Sequence, residues 1–217
     1  MATYIADTLN LIDGLVADYA ETVFNNFGGP LTTTIQLAGI LSLALLAANA
    51  VLQITPLRLS DFARWGVRYV VILSVATTWS QFLPIYDIIT NIPASVGAAL
   101  LGASGNVDLN MALDEMVTAV FDFSDRAAEE SGFLSINLLS VLLGVLGAIM
   151  ACVAILVSAI AKVGLAMAVS LAPIFIASLL FKATSDLFST WAKFTLGFAL
   201  IPMVLAGVMG AVLRIGQ

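Results

Sequence analysis

Long apolar stretches separated by short charged segments dominate the chain. Charged side chains are absent between Glu21 and Arg58, and the apolar run 31–54 is long enough to cross a bilayer, which takes about 20 residues at 1.5 Å each. A second uncharged run, 69–86, has aromatic residues near both edges, as is common where rings meet the membrane interface. The pattern therefore predicts two transmembrane helices within residues 31–86.

A third apolar region, residues 133–181, contains a single charged residue, Lys162. One straight helix of this length would reach roughly 73 Å, more than twice the hydrocarbon thickness, so we expect the chain to turn back at Lys162 and Gly164. Another apolar run precedes Arg214. These runs predict transmembrane helices three to five in residues 134–161, 163–181 and 194–213, all within 133–217.

The amino-terminal segment has the pattern of an amphipathic helix with an acidic polar face. Apolar residues recur at steps of four and three, at Ile5, Leu9, Ile12, Val16, Tyr19 and Val23. Membrane-surface helices usually carry Lys or Arg, which this segment lacks, so packing on protein is favoured over lipid. Packing on its own chain and self-association through Ile12 and Val16 are both open. A turn cluster at 25–30 completes the predicted segment 1–30, an amphipathic helix and turn.

Residues 87–132 are predicted to form an acidic loop outside the membrane. Its first part, 88–107, is uncharged but interrupted by proline and glycines, which favours an interfacial or re-entrant segment, with a sixth span as the alternative. Its second part, 108–130, is acidic, and its apolar residues fall on one helical face: Leu109, Leu113, Met116, Val117, Val120 and Phe121. We interpret the acids there as a solvated face and not as a metal site.

Composition supports a membrane protein and restricts its chemistry. The chain is 61% hydrophobic and 10% charged, whereas soluble domains are about 45–50% apolar and about 25% charged. It has no His and one Cys, which excludes an internal disulfide and removes the commonest general base and metal ligand. We therefore expect an all-α, polytopic integral membrane protein with about five transmembrane helices and two acidic amphipathic helices outside the membrane. We expect no catalytic residue, metal, cofactor or enzyme activity.

The distribution of basic residues predicts an orientation. With the amino terminus outside, five basic residues lie in the cytoplasm, namely Arg58, Arg64, Arg68, Lys162 and Arg214, against three outside. This choice places the carboxyl terminus inside and both acidic helices outside. No predicted span has an ionisable residue at its centre, which disfavours an ion-coupled carrier. The net charge of −6 argues against nucleic-acid binding through a basic patch.

The carboxyl-terminal third resembles a known family. Residues 170–191 read SLAPIFIASLLFKATSDLFSTW, and Leu200-Ile201-Pro202 follows. This segment is similar to the TrbL-type polytopic inner-membrane subunit of bacterial type IV secretion and conjugation systems. The resemblance implies a multi-pass protein of the bacterial inner membrane, with 1–30 and 87–132 in the periplasm and the carboxyl terminus in the cytoplasm.

The resemblance also implies a function. It implies a channel or scaffold subunit that supports pilus or stalk assembly and the passage of DNA or protein, with nucleic acid only as a transient translocated substrate. The implied partners are a pilin, a minor pilin, inner-membrane ATPases and, through the amino-terminal stripe, further copies of the chain. Pro173, Phe188 and Trp191 are the implied assembly residues, with a plain interfacial anchor as the alternative for Trp191. A stand-alone small channel or transporter subunit is the alternative function.

Overall fold

A computed structural model describes residues 4–52, 59–101, 108–129 and 138–215. These ranges are helical apart from short connections, and they contain no strand, which confirms the all-α prediction. The helices are α1 (Tyr4–Leu52), α2 (Leu59–Thr77), α3 (Trp79–Leu100), α4 (Leu109–Glu129), α5 (Leu138–Ser170), α6 (Ala172–Ala177) and α7 (Ser185–Ile215), with a 3₁₀ turn at Ser178–Leu180 between α6 and α7.

The described residues include four helices that are long and apolar enough to cross a membrane, which confirms a polytopic membrane protein. They are Ile5–Leu52, Trp79–Leu100, Gly144–Ser170 and Ser185–Ala211. The sequence predicted five spans with other boundaries. The segment predicted as interfacial falls largely in α3, which continues through Pro84 and Pro93 to Leu100, while residues 102–107 lie outside the described ranges.

The turn predicted at residues 25–30 is absent, because α1 is one helix of 49 residues that continues through Pro30. Gly28 is buried against α2, and a Cβ there would lie 2.9 Å from the carbonyl oxygen of Thr77. The hydroxyl of Thr32 donates to the Gly28 carbonyl at 2.6 Å. Neighbouring helices and hydroxyl groups of this kind make Gly and Pro tolerable within apolar helices, so packing overrides the local preference for a turn.

The turn predicted at Lys162 and Gly164 is also wrong, since α5 runs without a break to Ser170. A Cβ at Gly164 would collide with the ring of Phe198 on α7, so this glycine serves close helix packing. The helix ends before Pro173, whose missing N–H cannot continue its hydrogen-bond series. The described part of the two predicted spans, residues 138–161 and 163–181, therefore forms one long helix followed by the short helix α6 and the 3₁₀ turn.

The chain forms two compact units. Unit 1 comprises Met1–Val16, Asp87–Leu165 and Leu196–Gln217, and unit 2 comprises Ala17–Tyr86 and Ala166–Thr195. The core of unit 1 joins the apolar faces of α1 and α4 to residues of α3, α5 and α7, and consists of Ile5, Leu9, Ala98, Leu109, Ala112, Leu113, Met116, Val117, Ala154, Ala206 and Met209. Both predicted amphipathic faces are thus buried in part against their own chain, although Phe121 stays 38% exposed.

The two ends of the described chain meet in this core. Ile5 and Leu9 of α1 pack in the same cluster as Ala206 and Met209 of α7. The first turns of α1 and the last turns of α7 are therefore neighbours in unit 1.

Unit 2 is held by aromatic contacts. Phe24 of α1 lies with its ring centroid 5.3 Å from that of Trp79 and 5.1 Å from that of Phe82. The hydroxyl of Tyr69 on α2 reaches the carbonyl oxygen of Ile35 at 3.4 Å. Helix α2 also packs on α6. These contacts join α1, α2, the start of α3 and α6 within the unit.

Candidate functional site

A cluster of polar side chains lies among three helices of unit 1. We call it the polar cluster, and it consists of Asn10 and Asp13 on α1, Asn110 on α4 and Lys162 on α5. The ammonium of Lys162 donates to Asp13 Oδ2 at 2.6 Å and to Asn110 Oδ1 at 3.0 Å. The carbonyl oxygen of Leu9 lies 3.4 Å from the same nitrogen. An ammonium has three N–H donors, and three acceptors of the chain surround this one.

Asn110 connects the cluster. Its side chain is buried, and its amide nitrogen donates to Asn10 Oδ1 at 2.7 Å and to Asp13 Oδ2 at 2.9 Å. Its amide oxygen faces Lys162. The amide therefore uses both of its donors and accepts from the ammonium, so the orientation of its oxygen and nitrogen is fixed by the partners on either side.

The ion pair of the polar cluster is unequally buried. The side chain of Lys162 is 13% exposed and that of Asp13 is 47% exposed. Both residues lie within helices that are apolar enough to cross a membrane. The predicted placement of Lys162 on the membrane side opposite Asp13 is therefore wrong, because the two side chains are in direct contact. Ionisable groups in such helices usually pair with one another, as they do here.

A second polar contact joins α4 to the beginning of α1. The backbone N–H of Ile5 donates to Asp114 Oδ1 at 3.0 Å, and the Asp114 side chain is buried. The first four N–H groups of a helix lack partners within that helix, and a carboxylate is favoured near them. Asp114 therefore caps α1 from another helix.

Ser158 lies one helical turn before Lys162, which places both residues on one side of α5. Its hydroxyl is buried and has no hydrogen-bond partner among the described residues.

The family-like segment forms a separate arrangement in unit 2, centred on Trp191. The indole N–H of Trp191 donates to the carbonyl oxygen of Ala168 at 2.7 Å. The Trp191 ring stacks on Phe175 at 6.0 Å between centroids, and Phe188 lies 5.4 Å away. Ala168 carries one of the last four carbonyls of α5, which have no donor within the helix. Trp191 thus satisfies a carbonyl at the end of α5, and its ring contacts connect this end to α6 and α7.

The three predicted assembly residues have different surroundings. Trp191 is 6% exposed and its N–H is used inside the chain, so the ring is not an anchor facing the headgroups. Phe188 is half-buried beside it. Pro173 is fully buried at the start of α6. The structure therefore brings Phe188 and Trp191 together and places Pro173 in the first turn of α6, just after α5 ends.

The predicted self-association residues face their own chain in part. Ile12 packs against the core of unit 1, and Val16 is half-buried. The exposed apolar side chains of this helix segment are its neighbours Leu11 and Leu15, at 65% and 63%. The amino-terminal stripe is therefore an intramolecular packing face over its first turns.

Sequence reasoning missed the members of the polar cluster and Asp114. One signal for them was present, because Lys162 is the sole charge among 49 apolar and small residues. A lone cation in such a run needs a partner from elsewhere in the chain. The described residues contain no group of three or more potential metal ligands of the His, Cys, Asp and Glu types.

These features define a polytopic helical membrane protein in which Lys162 is paired within its own chain. Residues 39–217 match the family described as TrbL/VirB6 plasmid conjugal transfer protein, and the chain belongs to that family. This result confirms the resemblance seen in residues 170–191 and makes the protein a membrane component of a conjugal transfer or type IV secretion system. No curated protein matches the chain.

Proposed function

We propose that the protein is a channel or scaffold subunit in the bacterial inner membrane. In this role it supports pilus or stalk assembly and the passage of DNA or protein through a type IV secretion system. One observation supports the proposal beyond family membership, namely that the charge of Lys162 is paired inside the polar cluster. Each acceptor of Lys162 belongs to the chain itself, so the charge holds α1, α4 and α5 together. Such a charge stabilises a scaffold, and Lys162 itself is not free to bind a solute.

The proposal also covers the orientation and the partners of the protein. The protein performs no catalysis, and its amino terminus lies in the periplasm. Its partners are a pilin, a minor pilin, inner-membrane ATPases and further copies of the chain. Nucleic acid contacts it only as a transient translocated substrate. The orientation is supported by the basic residues Arg58, Arg64 and Arg68, which favour the cytoplasmic side.

A transfer assay tests the proposed function. Deletion of the gene in a donor strain should abolish conjugation or protein secretion, and the wild-type protein should restore it. Cross-linking in native membranes should then join the protein to pilin or ATPase subunits. Normal transfer by the deletion strain, in the absence of a second copy of the gene, would contradict the proposal.

The alternative function, a stand-alone channel or transporter subunit, is favoured by one observation. Lys162 and Asp13 both lie in helices that are long and apolar enough to cross a membrane, and paired ionisable groups in such helices often belong to ion or substrate pathways. Purified protein in liposomes should distinguish the two functions. A scaffold should carry no ion or small-solute flux above that of empty liposomes. A flux that disappears in Asp13→Asn and Lys162→Met would support the transporter.

A further inference from the structure

A groove of about 550 Å³ lies on the surface of unit 2, between α2 and the 3₁₀ turn at Ser178–Leu180. Its walls are almost entirely apolar and include Val67 and Val71 of α2 and Leu179 of the turn. Arg64 and Arg68 line the part of the groove nearer the start of α2. From Arg64 to Val71 the helix advances by about 10 Å, so the two arginines lie nearer the start of α2 and the apolar wall of the groove extends beyond them along the helix.

The two arginines are available to an anion. They are four residues apart and therefore lie on one face of the helix. Arg64 pairs with Asp61 at 3.1 Å, but the two side chains are 79% and 54% exposed. An exposed pair of this kind contributes little to stability, so an incoming anion can compete for the guanidinium. Among the described residues, no acidic side chain pairs with Arg68.

Aromatic residues beside the arginines indicate where this part of α2 lies in the membrane. The ring of Trp65 lies 6.2 Å from that of Phe62 and 5.5 Å from that of Tyr69, measured between centroids. Trp and Tyr are enriched at the level of the lipid headgroups. The arginines therefore lie beside residue types that are typical of the level of the lipid phosphates, and the apolar groove continues from them along α2.

We propose that this groove binds one anionic glycerophospholipid. Arg64 and Arg68 hold its phosphate, since the planar guanidinium donates two parallel hydrogen bonds to phosphate oxygens. An acyl chain lies along Val67, Val71 and Leu179, where it covers side chains that the protein leaves exposed or half-buried. A volume of about 550 Å³ lies within the range of small-molecule sites. This lipid site is independent of the proposed role in secretion.

Native mass spectrometry of the full chain in mild detergent tests the proposal. The protein is titrated with phosphatidylglycerol and, separately, with phosphatidylcholine of the same acyl chains. We expect a first molecule of phosphatidylglycerol to bind at clearly lower concentration than phosphatidylcholine. In Arg64→Gln/Arg68→Gln this preference should fall about tenfold or more. Both lipids carry a phosphate, but only phosphatidylglycerol has a net negative charge, and the variant lacks the two cations that attract it. Equal binding of the two lipids by the wild-type protein would overturn the proposal.

Two further variants separate this site from general electrostatic attraction. Lys182→Gln/Lys193→Gln removes two exposed cations of unit 2 outside the groove and should bind phosphatidylglycerol as the wild type does. Ala63→Trp fills the groove while keeping both arginines and should weaken binding. Thermal unfolding of each variant shows whether it is folded. If the glutamine variant is unfolded, it is replaced by Arg64→Lys/Arg68→Lys, which keeps both charges.

Three outcomes would overturn the lipid site. The first is equal loss of binding in the arginine and lysine variants. The second is displacement of the lipid by inorganic phosphate alone, which would show that the acyl chain is not held. The third is wild-type lipid binding by Ala63→Trp, combined with cross-linking of Ala63→Cys to another secretion subunit, which would assign the groove to a protein partner.

Discussion

The ammonium of Lys162 lies 2.6 Å from a carboxylate oxygen of Asp13, a residue 149 positions earlier in the chain. This contact closes the polar cluster between α1 and α5, and Asn110 of α4 bridges the two charged groups. Because Lys162 is the more buried partner, loss of the carboxylate leaves a buried cation with neutral acceptors only. The ion pair therefore restricts which substitutions unit 1 can accept.

Asp13→Asn should lower the free energy of unfolding by about 1–3 kcal/mol, since a buried charged donor loses its charged acceptor. Fluorescence-detected thermal unfolding in mild detergent measures this change. The double variant Asp13→Asn/Lys162→Met should be more stable than Asp13→Asn alone, because it removes the uncompensated cation. Asp18→Asn, at an exposed acid of the same helix, is the control and should unfold like the wild type. Equal unfolding of Asp13→Asn and Asp18→Asn would show that the ion pair contributes little.

Trp191→Phe should destabilise the protein by about 1–3 kcal/mol, because the ring survives but the Ala168 carbonyl loses its donor. Trp191→Ala should cost about 3–5 kcal/mol, since the contacts with Phe175 and Phe188 are also lost. Thermal unfolding and transfer frequency, measured on the same variants, should fall together. Leu187→Ala, at an exposed apolar residue of α7, is the matched control. Loss of transfer with unchanged stability in Trp191→Ala would instead indicate a contact with another subunit.

Gly28→Ala should destabilise unit 2, because its Cβ would lie 2.9 Å from the Thr77 carbonyl oxygen and the two helices must separate. Gly29→Ala meets no atom within 4 Å and should be neutral or stabilising by up to about 1 kcal/mol, since Ala favours a helix over Gly. Thermal unfolding of this neighbouring pair tests the continuity of α1. Destabilisation by Gly29→Ala would indicate a turn at residues 25–30, as the sequence pattern suggested.

Single-cysteine labelling should determine the topology. Cys152 is exposed and is first replaced by Ser. Glu115→Cys and Gln217→Cys, both in unit 1, should react with an impermeant maleimide from the periplasm. Ser60→Cys should not react, because the basic residues near Ser60 favour the cytoplasm. Lys182→Cys should not react either, because the groove brings α2 and the turn before Lys182 together in unit 2. Labelling of Lys182→Cys but not Gln217→Cys would support five spans.

Substitutions at neighbouring residues of α1 should separate folding from self-association. Ile12→Asp places a charge against the core of unit 1 and should lower the stability of the protomer. Leu11→Asp alters a residue that is 65% exposed and should leave stability unchanged while reducing recovery of oligomers in mild detergent. Size-exclusion chromatography with light scattering measures the oligomer. Normal assembly of Leu11→Asp would place the contact between copies elsewhere.

The sequence by itself determined the class of the protein and its helical content. Apolar runs of sufficient length, few charges and no His are properties of composition and local order, and they predict a polytopic helical membrane protein without knowledge of any neighbour. The family-like segment at residues 170–191 was likewise recognisable from its residues alone. The apolar face of α4 followed from helical spacing, and five of its six predicted residues are buried.

Tertiary structure decided where the helices end and which polar groups meet. Gly28 and Gly164 look like turn residues in the sequence, but each faces a neighbouring helix too closely for a side chain, so both lie inside long helices. Lys162 seemed to mark a turn because its partner, Asp13, lies on another helix. Trp191 donates to a carbonyl 23 residues earlier, at the end of α5. Contacts between residues distant in the chain depend on which helices become neighbours, and local hydropathy does not contain that information.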